Sequence, residues 1–346
     1  MNKRVSVIIK ALNEEAKIAA TIESALAAVA ALNGEVILAD SLSTDRTVEI
    51  AQRYPIKIAQ LTRAEDRSCG VGAQLGYQYA EGEYLYVLDG DMQMRQGFLE
   101  KAIELMSKEP DIAGVGGRLV ERNTDSLEFQ ARLARAPVNM QPGPVDRLDG
   151  GGLYRRSAIE QVGYLTNRNL HSYEELDLAI RLRSAGYKLV RIPVDAVDHF
   201  GHTIDAFALL KRRWRSRYIF GIGEIVRASL GKPHQKLLLK DLRELRVYLI
   251  ATCWILTTLL LSLMAIMGNL HWWGPLCLAV TPLILMSTKR RSFRLGIYAI
   301  TSWIVHAAAL FRGLWSQQLP PSTPIPSVLR VQNSATHTAL DPHVRR

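Results

Sequence analysis

The chain of 346 residues predicts an α/β fold: a mostly parallel sheet with helices on both faces, then interfacial helices and a C-terminal transmembrane helical region. Three observations carry that expectation. Short β-rich runs alternate with helical segments up to residue 89, at the spacing of βαβ units. Two of those runs end on aspartate, although buried strands do not ordinarily finish on carboxylates. Beyond about residue 245 the mixture of apolar and charged residues gives way to long uncharged stretches.

Taken in order, "RVSVII" (4–9) is the first strand. The Ala-rich "NEEAKIAATIESALAAVAAL" (13–32) follows as a helix, with Asn13 in position to cap it. "EVILAD" (35–40) is the second strand, and "SLSTDRTVEIAQRY" (41–54) is a loop entering a helix that Asp45 is placed to cap. "IKIAQL" (56–61) is the third strand, "GAQLGYQYA" (72–80) a helix and "YLYVLD" (84–89) the fourth strand. Ligands of open α/β sheets bind beyond the carboxyl ends of the strands. Asp40 and Asp89 end strands two and four, so both are expected at that edge. Asp91 follows Asp89 after a single glycine. A solvated turn tolerates such a pair; a divalent cation compensates it. Acids converging from two strands favour the cation.

Three apolar segments follow: "VYLIATCWILTTLLLSLMAIM" (247–267), "LHWWGPLCLAVTPLILM" (270–286) and "LGIYAITSWIVHAAALF" (295–311). The first is long enough to span a bilayer; the others are near the lower limit, where a buried helix or re-entrant hairpin is the alternative. The formal charge of +10 raises the question of nucleic acid. The basic clusters "KRRWRSR" (211–217), "HQKLLLKDLRELR" (234–246) and "KRRSFR" (289–294) instead lie beside or between the apolar segments. That positive-inside pattern favours anionic lipid headgroups over nucleic acid and places the soluble part in the cytoplasm, at the inner membrane. The expected division is 1–205 soluble, 206–246 interfacial, 247–315 transmembrane with two or three helices, and 316–346 a Pro-rich tail. Three crossings send the tail to the far side; two keep it with the soluble part. The N-terminal apolar run is too short for a secretory signal. Cys69, Cys253 and Cys277 make neither a metal motif nor a disulfide framework.

"VSVIIKALNEE", "ADSLSTDRT", "GEYLYVLDGD", "DGGGLYRRSAIEQVG" and "YEELDLAIRLRSAGYKL" occur in this order between residues 5 and 189. Together they resemble the family 2 glycosyltransferases of the GT-A nucleotide-sugar fold, in particular bacterial membrane-anchored members. The resemblance implies a D-x-D metal site for Mg²⁺ or Mn²⁺, with Asp91 the direct ligand and Asp89 nearer the donor ribose. It implies that Asp40 accepts a hydrogen bond from the nucleotide base and that Asn13 and Glu14 line the nucleotide loop. Arg67 either reaches the diphosphate or is a solvated surface group. Asp177, Leu178 and Arg181 align with the E-D-x-D-L-x-x-R base motif, which puts Glu175 where the family carries aspartate. That lengthens the carboxylate arm by about 1.5 Å and makes Glu174 a rival base. Gly151 and Gly152 are expected to admit donor sugar or acceptor close to the backbone, with Asp177 beside the substrate. The resemblance implies that His199 completes the metal site or binds the diphosphate; His202 is its neighbour in "DHFGHT". Arg213 and Trp214 retain part of the Q-x-x-R-W motif of polymerising synthases, but Leu210 replaces its glutamine.

The expected activity is metal-dependent, inverting transfer of a sugar from a nucleotide-sugar donor, UDP-linked by expectation, to a lipid-linked or saccharide acceptor at the membrane. A processive synthase, a nucleotidyltransferase and a non-catalytic basic surface module are the alternatives.

Overall fold

The first strand, β1 (Val5–Ala11), is buried along almost its whole length, as a central parallel strand covered by helices must be. In this computed structural model, which describes residues 4–122, 138–200 and 206–331, β1 pairs in parallel with β2 (Glu35–Asp40) and β4 (Tyr84–Asp89). β2 in turn pairs in parallel with β3 (Lys57–Leu61). Beyond β4 the strands are β5 (Met92–Met94), β6 (Ile112–Glu121), β7 (Gly143–Val145), β8 (Gly152–Arg155), β9 (Lys188–His199) and β10 (Ser327–Val331). The sheet order is β10-β3-β2-β1-β4-β8-β6-β9-β5, with β7 on β9.

The expected parallel arrangement describes β3-β2-β1-β4. Outside it the sheet is mixed: β8 is antiparallel to both β4 and β6, and β10 is antiparallel to β3. β1, β2 and β3 are each followed by a helix that carries the chain over to the next parallel strand; after residue 89, β5 follows β4 and β8 follows β7 with no α-helix between them, while helices separate β5 from β6 and β8 from β9.

The pleat sorts side chains onto two faces. Val5, Val7 and Ile9 pack with α1 (Ile18–Val29) and α4 (Phe98–Lys108). Ile8, Ile37 and Val87 pack with α3 (Cys69–Tyr77), α5 (Arg156–Val162) and α6 (Glu174–Ser184). On α3, Gly76 lies so close to Ile8 that a Cβ there would overlap its side chain, and this lets the helix sit low on the sheet.

Asn13 is not the cap of α1. The helix begins at Ile18, with Lys17 at the cap position and no side-chain cap bond. Asn13 instead sits at φ 59° and accepts the Thr44 N–H at 2.7 Å through Oδ1. Glu14 N donates to Thr47 Oγ1 and Glu15 N to Asp45 Oδ2, so the loops after β1 and β2 are sewn together. A backbone donor across the gap competes for the carbonyl that local sequence assigns to the helix. Asp45 also accepts the Thr47 N–H at 3.0 Å from one residue ahead of the cap position of α2 (Thr47–Ala51), which Arg46 occupies without a side-chain cap bond.

By compactness the chain forms two units. The first comprises Met1–Arg168, Glu174–Thr203 and Pro320–Arg346; the second comprises Asn169–Tyr173 and Ile204–Leu319. The tail therefore returns to the sheet. β10 covers the β3 edge, and Ile325 exchanges hydrogen bonds with the Gln78 side chain. Arg168 Nη1 donates to Thr323 O at 2.9 Å. The tail beyond residue 331 and His202 lie outside the described residues.

The second unit is helical: α7 (Ala206–Arg215), α8 (Gly221–Ser229), α9 (Gln235–Asp241), α10 (Arg243–Ile266), α11 (Trp273–Lys289) and α12 (Phe293–Leu314). By length and composition α10 and α12 could each cross a membrane, with mean hydropathy 2.2 and 1.3 over their most apolar windows. The remaining apolar helix, α11, has 17 residues.

Candidate active site

Lys10 is a cation inside an otherwise uncharged strand, and sheet register sets it beside Asp89. Its Nζ lies 2.9 Å from Asp89 Oδ1 and 3.5 Å from Glu174 Oε1. Gly72 of α3 leaves room for the lysine stem: a Cβ there would meet Lys10 Cγ at 3.2 Å. Burial works against the charge on Lys10, but Asp89, Glu174 and Glu175 outweigh it and hold the pKa well above the usual lysine range. The cation is therefore fixed in its charged form at the carboxyl edge of the sheet.

The glycine between the two aspartates is required by packing. A Cβ on Gly90 would meet Glu14 Cγ at 2.9 Å and Lys10 O at 3.1 Å. Gly90 N donates to Lys10 O, and Thr21 Oγ1 donates to Gly90 O, which pins the turn. Asp91 then faces Lys17 Nζ at 3.9 Å and His199 Nε2 at 3.5 Å. Glu14 is pushed up to about 7, first by burial and next by the negative charge of Asp91.

His199 is delivered by register. It pairs with Met92 on β5 and Glu121 on β6, and its Nδ1 lies 2.6 Å from Glu121 Oε2. Burial would depress the imidazole, yet Asp91 and Glu121 together raise it to about 9. A carboxylate behind one ring nitrogen orients the other toward a cation. Two ligands on one divalent ion at about 2.1 Å stand roughly 3 Å apart, close to the Asp91–His199 separation. These residues fit a hard ion held by one carboxylate and one imidazole. Among the described residues, no group of three or more His, Cys, Asp or Glu side chains is arranged to hold an ion unaided. Ions of this class commonly take their remaining ligands from substrate phosphates and water.

Glu174 and Glu175 open α6, where the helix dipole favours acids. Glu174 joins the Lys10 ion pair, while Glu175 Oε1 accepts the Gly150 N–H at 3.3 Å. Burial and then Asp149 push Glu175 well above the ordinary carboxylate range, against the opposing pull of Lys10. Lys10 thus bridges Asp89 to Glu174.

Other expected residues are placed differently. Asp40 is wholly buried, and its carboxylate accepts Ser43 N and Gln60 Nε2. It lies two strands from Asp89, about 10 Å by strand spacing, outside the ion-pair network. Arg67 is no solvated arginine: it donates to the carbonyls of Ser41 and Leu42 and so braces the loop after β2. Asp177 forms a buried pair with Arg181 at 2.9 Å, and Arg181 also donates to Tyr164 O and Leu165 O. This pair anchors the base helix to the core. Gly151 has φ 96°, and a Cβ there would meet Val87 O at 2.7 Å. A Cβ on Gly152 would meet Leu148 Cδ1 at 2.8 Å. The glycines are thus demanded by the protein's own packing. Arg213 and Trp214 belong to the helical unit, where Arg213 lies over Tyr218 and Trp214 packs edge-on to Phe220.

Sequence reading passed over Lys10, Lys17, Glu121 and Asp149. Lys10 had a signal, a lone charge in the run "VSVIIKA"; Glu121 had none, since only register brings it to His199.

The Glycosyl transferase family 2 pattern matches residues 6–163. The chain carries a family 2 glycosyltransferase domain. A dolichol-phosphate mannosyltransferase of Pyrococcus furiosus is 34% identical over 122 residues, 34% of this chain and 34% of that one. The putative glycosyltransferase EpsE of Bacillus subtilis is 29% identical over 54% of this chain and 68% of its own length. An N-acetylglucosaminyl-diphospho-decaprenol L-rhamnosyltransferase of Mycobacterium tuberculosis is 28% identical over 54% of this chain and 73% of its own. The match to the Pyrococcus protein thus spans about a third of that relative's length. A mannosyltransferase from Pyrobaculum calidifontis, solved with GDP-Man and Mn2+, superposes with a TM-score of 0.59 at 19% identity, covering 91% of this chain and 88% of that one. The GT-A-like fold of the glycosyltransferase domain follows.

Proposed function

We propose that the protein transfers a sugar from a nucleotide-sugar donor, UDP-linked in our reading, to a lipid-linked acceptor at the cytoplasmic face of the inner membrane. The observation that carries this reading is the chain of contacts Glu174–Lys10–Asp89, set beside Asp91 and His199 at the carboxyl edge of the parallel strands. It supplies acids for a cation, a fixed lysine for anionic oxygens and a carboxylate for proton abstraction. The acceptor class is supported by relatives named for dolichol-phosphate and diphospho-decaprenol.

Asp91 and His199 would hold Mg²⁺ or Mn²⁺, which supplies Lewis-acid stabilisation of the charge left on the departing diphosphate. Lys10 sits beside Asp89 and adds positive charge at the same edge, while Asp89 faces the ribose. Glu175 takes the proton from the acceptor hydroxyl as that oxygen attacks the anomeric carbon from the side opposite the diphosphate. Its raised pKa makes it a stronger base than a surface carboxylate, and Gly150 N–H fixes its direction. One base and one displacement give inversion. Asp40 and Arg67 act on the nucleotide through the shape of the loop after β2.

The test is to incubate membranes containing the full chain with a panel of labelled sugar nucleotides and extract the lipid fraction. Label in lipid, lost with EDTA, is expected. Label only in aqueous polymer indicates a synthase, and release of pyrophosphate a nucleotidyltransferase; either result discards this reading.

A further inference from the structure

Of the three apolar helices, the composition of α10 and α12 qualifies them to cross a membrane and the length of α11 disqualifies it. The contacts within the helical unit point elsewhere. Trp254 Nε1 of α10 donates to Leu278 O of α11, so α11 runs back along α10 as a hairpin. Both open ends of that hairpin are basic, with Arg243 and Arg246 at the start and Lys289, Arg290 and Arg291 at the finish. Its turn, residues 267–272, carries no charge, and Trp272 and Trp273 beside it are 57% and 74% exposed. Leu259, Leu263, Ile284 and Leu285 are each more than half exposed, leaving wide apolar faces bare on both helices. The occupant that fits a bare apolar hairpin with a tryptophan tip and basic feet is a lipid bilayer. At 1.5 Å per residue α11 spans about 25 Å, and with the turn added it reaches the far interface.

The third helix behaves otherwise. Gly296 abuts Ser287, near the basic foot of α11. Tyr298 packs edge-on to Phe207 of α7 at 5.1 Å, and His306 stacks on Tyr248 at 5.0 Å, two residues past Arg246. Leu310 and Gly313 lie against Gly223 of α8, and Arg227 Nη1 donates to Leu314 O at 2.7 Å. Arg312 lies over the rings of Trp214 and Phe220. From Tyr298 to Leu314, about 24 Å of helix, α12 stays against helices that carry lysine, arginine and glutamate. A helix rising through hydrocarbon could touch such partners at one end only. Its other face, with Phe293, Ile297, Ile304 and Phe311 exposed, suits the headgroup boundary.

β10 adds the topological constraint. The chain leaves the sheet after β9 and rejoins it at Ser327–Val331, so any membrane between is crossed an even number of times. We infer that α10 and α11 alone cross the bilayer, that α12 lies flat in the interface, and that the C-terminal strand stays on the catalytic side. This deepens the membrane reading proposed above and stands apart from the transfer chemistry.

Cysteine accessibility decides it. In the full chain with Cys69, Cys253 and Cys277 replaced by serine, Asn269→Cys, Arg290→Cys and Gln317→Cys are exposed to an impermeant maleimide in spheroplasts, before and after lysis. Asn269→Cys is expected to react before lysis, with no gain afterwards. Arg290→Cys and Gln317→Cys are expected to react only after lysis. Outside labelling of Gln317→Cys makes α12 a span and overturns the inference, as does an Asn269→Cys that needs lysis. Should the serine background not fold, a C-terminal reporter on the natural chain replaces it: green fluorescence supports the inference and alkaline phosphatase activity sinks it. Lipid labelling on the same membranes is scored separately, so failure of transfer with the expected accessibility removes the catalytic reading and leaves the topology.

Discussion

The carboxyl edge of the parallel strands and the helical unit handle unfavourable exposure in opposite ways. At the edge, Asp89, Asp91, Glu14, Glu174 and Glu175 crowd together, and Lys10, Lys17 and His199 offset them in pairs. In the helical unit, charge is confined to the helix ends and to α7–α9, while leucines on α10 and α11 remain bare. At the edge the five carboxylates outnumber the three cationic side chains beside them. The bare apolar faces of α10 and α11 match the lipid surroundings inferred for them above. Substitutions should therefore separate cleanly: changes at the edge alter chemistry, and changes in the helical unit alter stability or partitioning.

The largest effect is expected at Asp91. Asp91→Asn should lower transfer by about a thousandfold or more, several kcal/mol of lost stabilisation of the leaving diphosphate. Its melting temperature should be unchanged; near-normal turnover would take Asp91 out of the metal site. Glu175→Gln is next, with kcat reduced by about a hundred- to ten-thousandfold and donor binding retained. If Glu174→Gln is the more damaged variant in the same assay, the roles of the two glutamates exchange.

A subtler division lies within the edge. In the proposed role Glu175 acts deprotonated, and its pKa is raised, so transfer should fall as pH drops through that raised value. Asp149→Asn removes a neighbouring negative charge that raises it, and should move the acid limb of the pH profile downward. Lys10→Met removes the opposing positive charge and should move it upward. Equal or same-sign shifts would break the electrostatic account of the base.

In the helical unit, Gly313→Val places a side chain against the Phe220 carbonyl, and overpacking of this kind costs about 1–3 kcal/mol. Thermal unfolding in detergent should register it, with the donor affinity of the surviving folded protein unchanged. Leu259→Ala, on a bare face, should change stability by no more than about 0.5 kcal/mol.

How much could be read in advance depended on whether the signal was local. β1 to β4 and the D-G-D turn were legible because apolar runs, glycines and strand-end acids lie next to one another in sequence. Asn13 misled because its partner, Thr44, is 31 residues away and outcompetes the local cap. Asp40 was legible as a strand-end acid, but its hydrogen bond from Gln60, on the neighbouring strand β3, had no local signal. Gly151 and Gly152 were legible as unusual, but the cause is the carbonyl of Val87 and the side chain of Leu148. The return of residues 327–331 to β3 has no local signature, since "SVLRV" following a Pro-rich stretch resembles any exposed strand.

That returning strand imposes an order on biogenesis. A ribosome releases β3 long before β10, with the whole hydrophobic insert in between. On the topology inferred above, the outer edge of β3 keeps unpaired backbone donors and acceptors open to any passing strand until that insert reaches the lipid. On that topology the sheet is completed only after membrane integration, and molecules stalled before that step should be those that aggregate or are degraded.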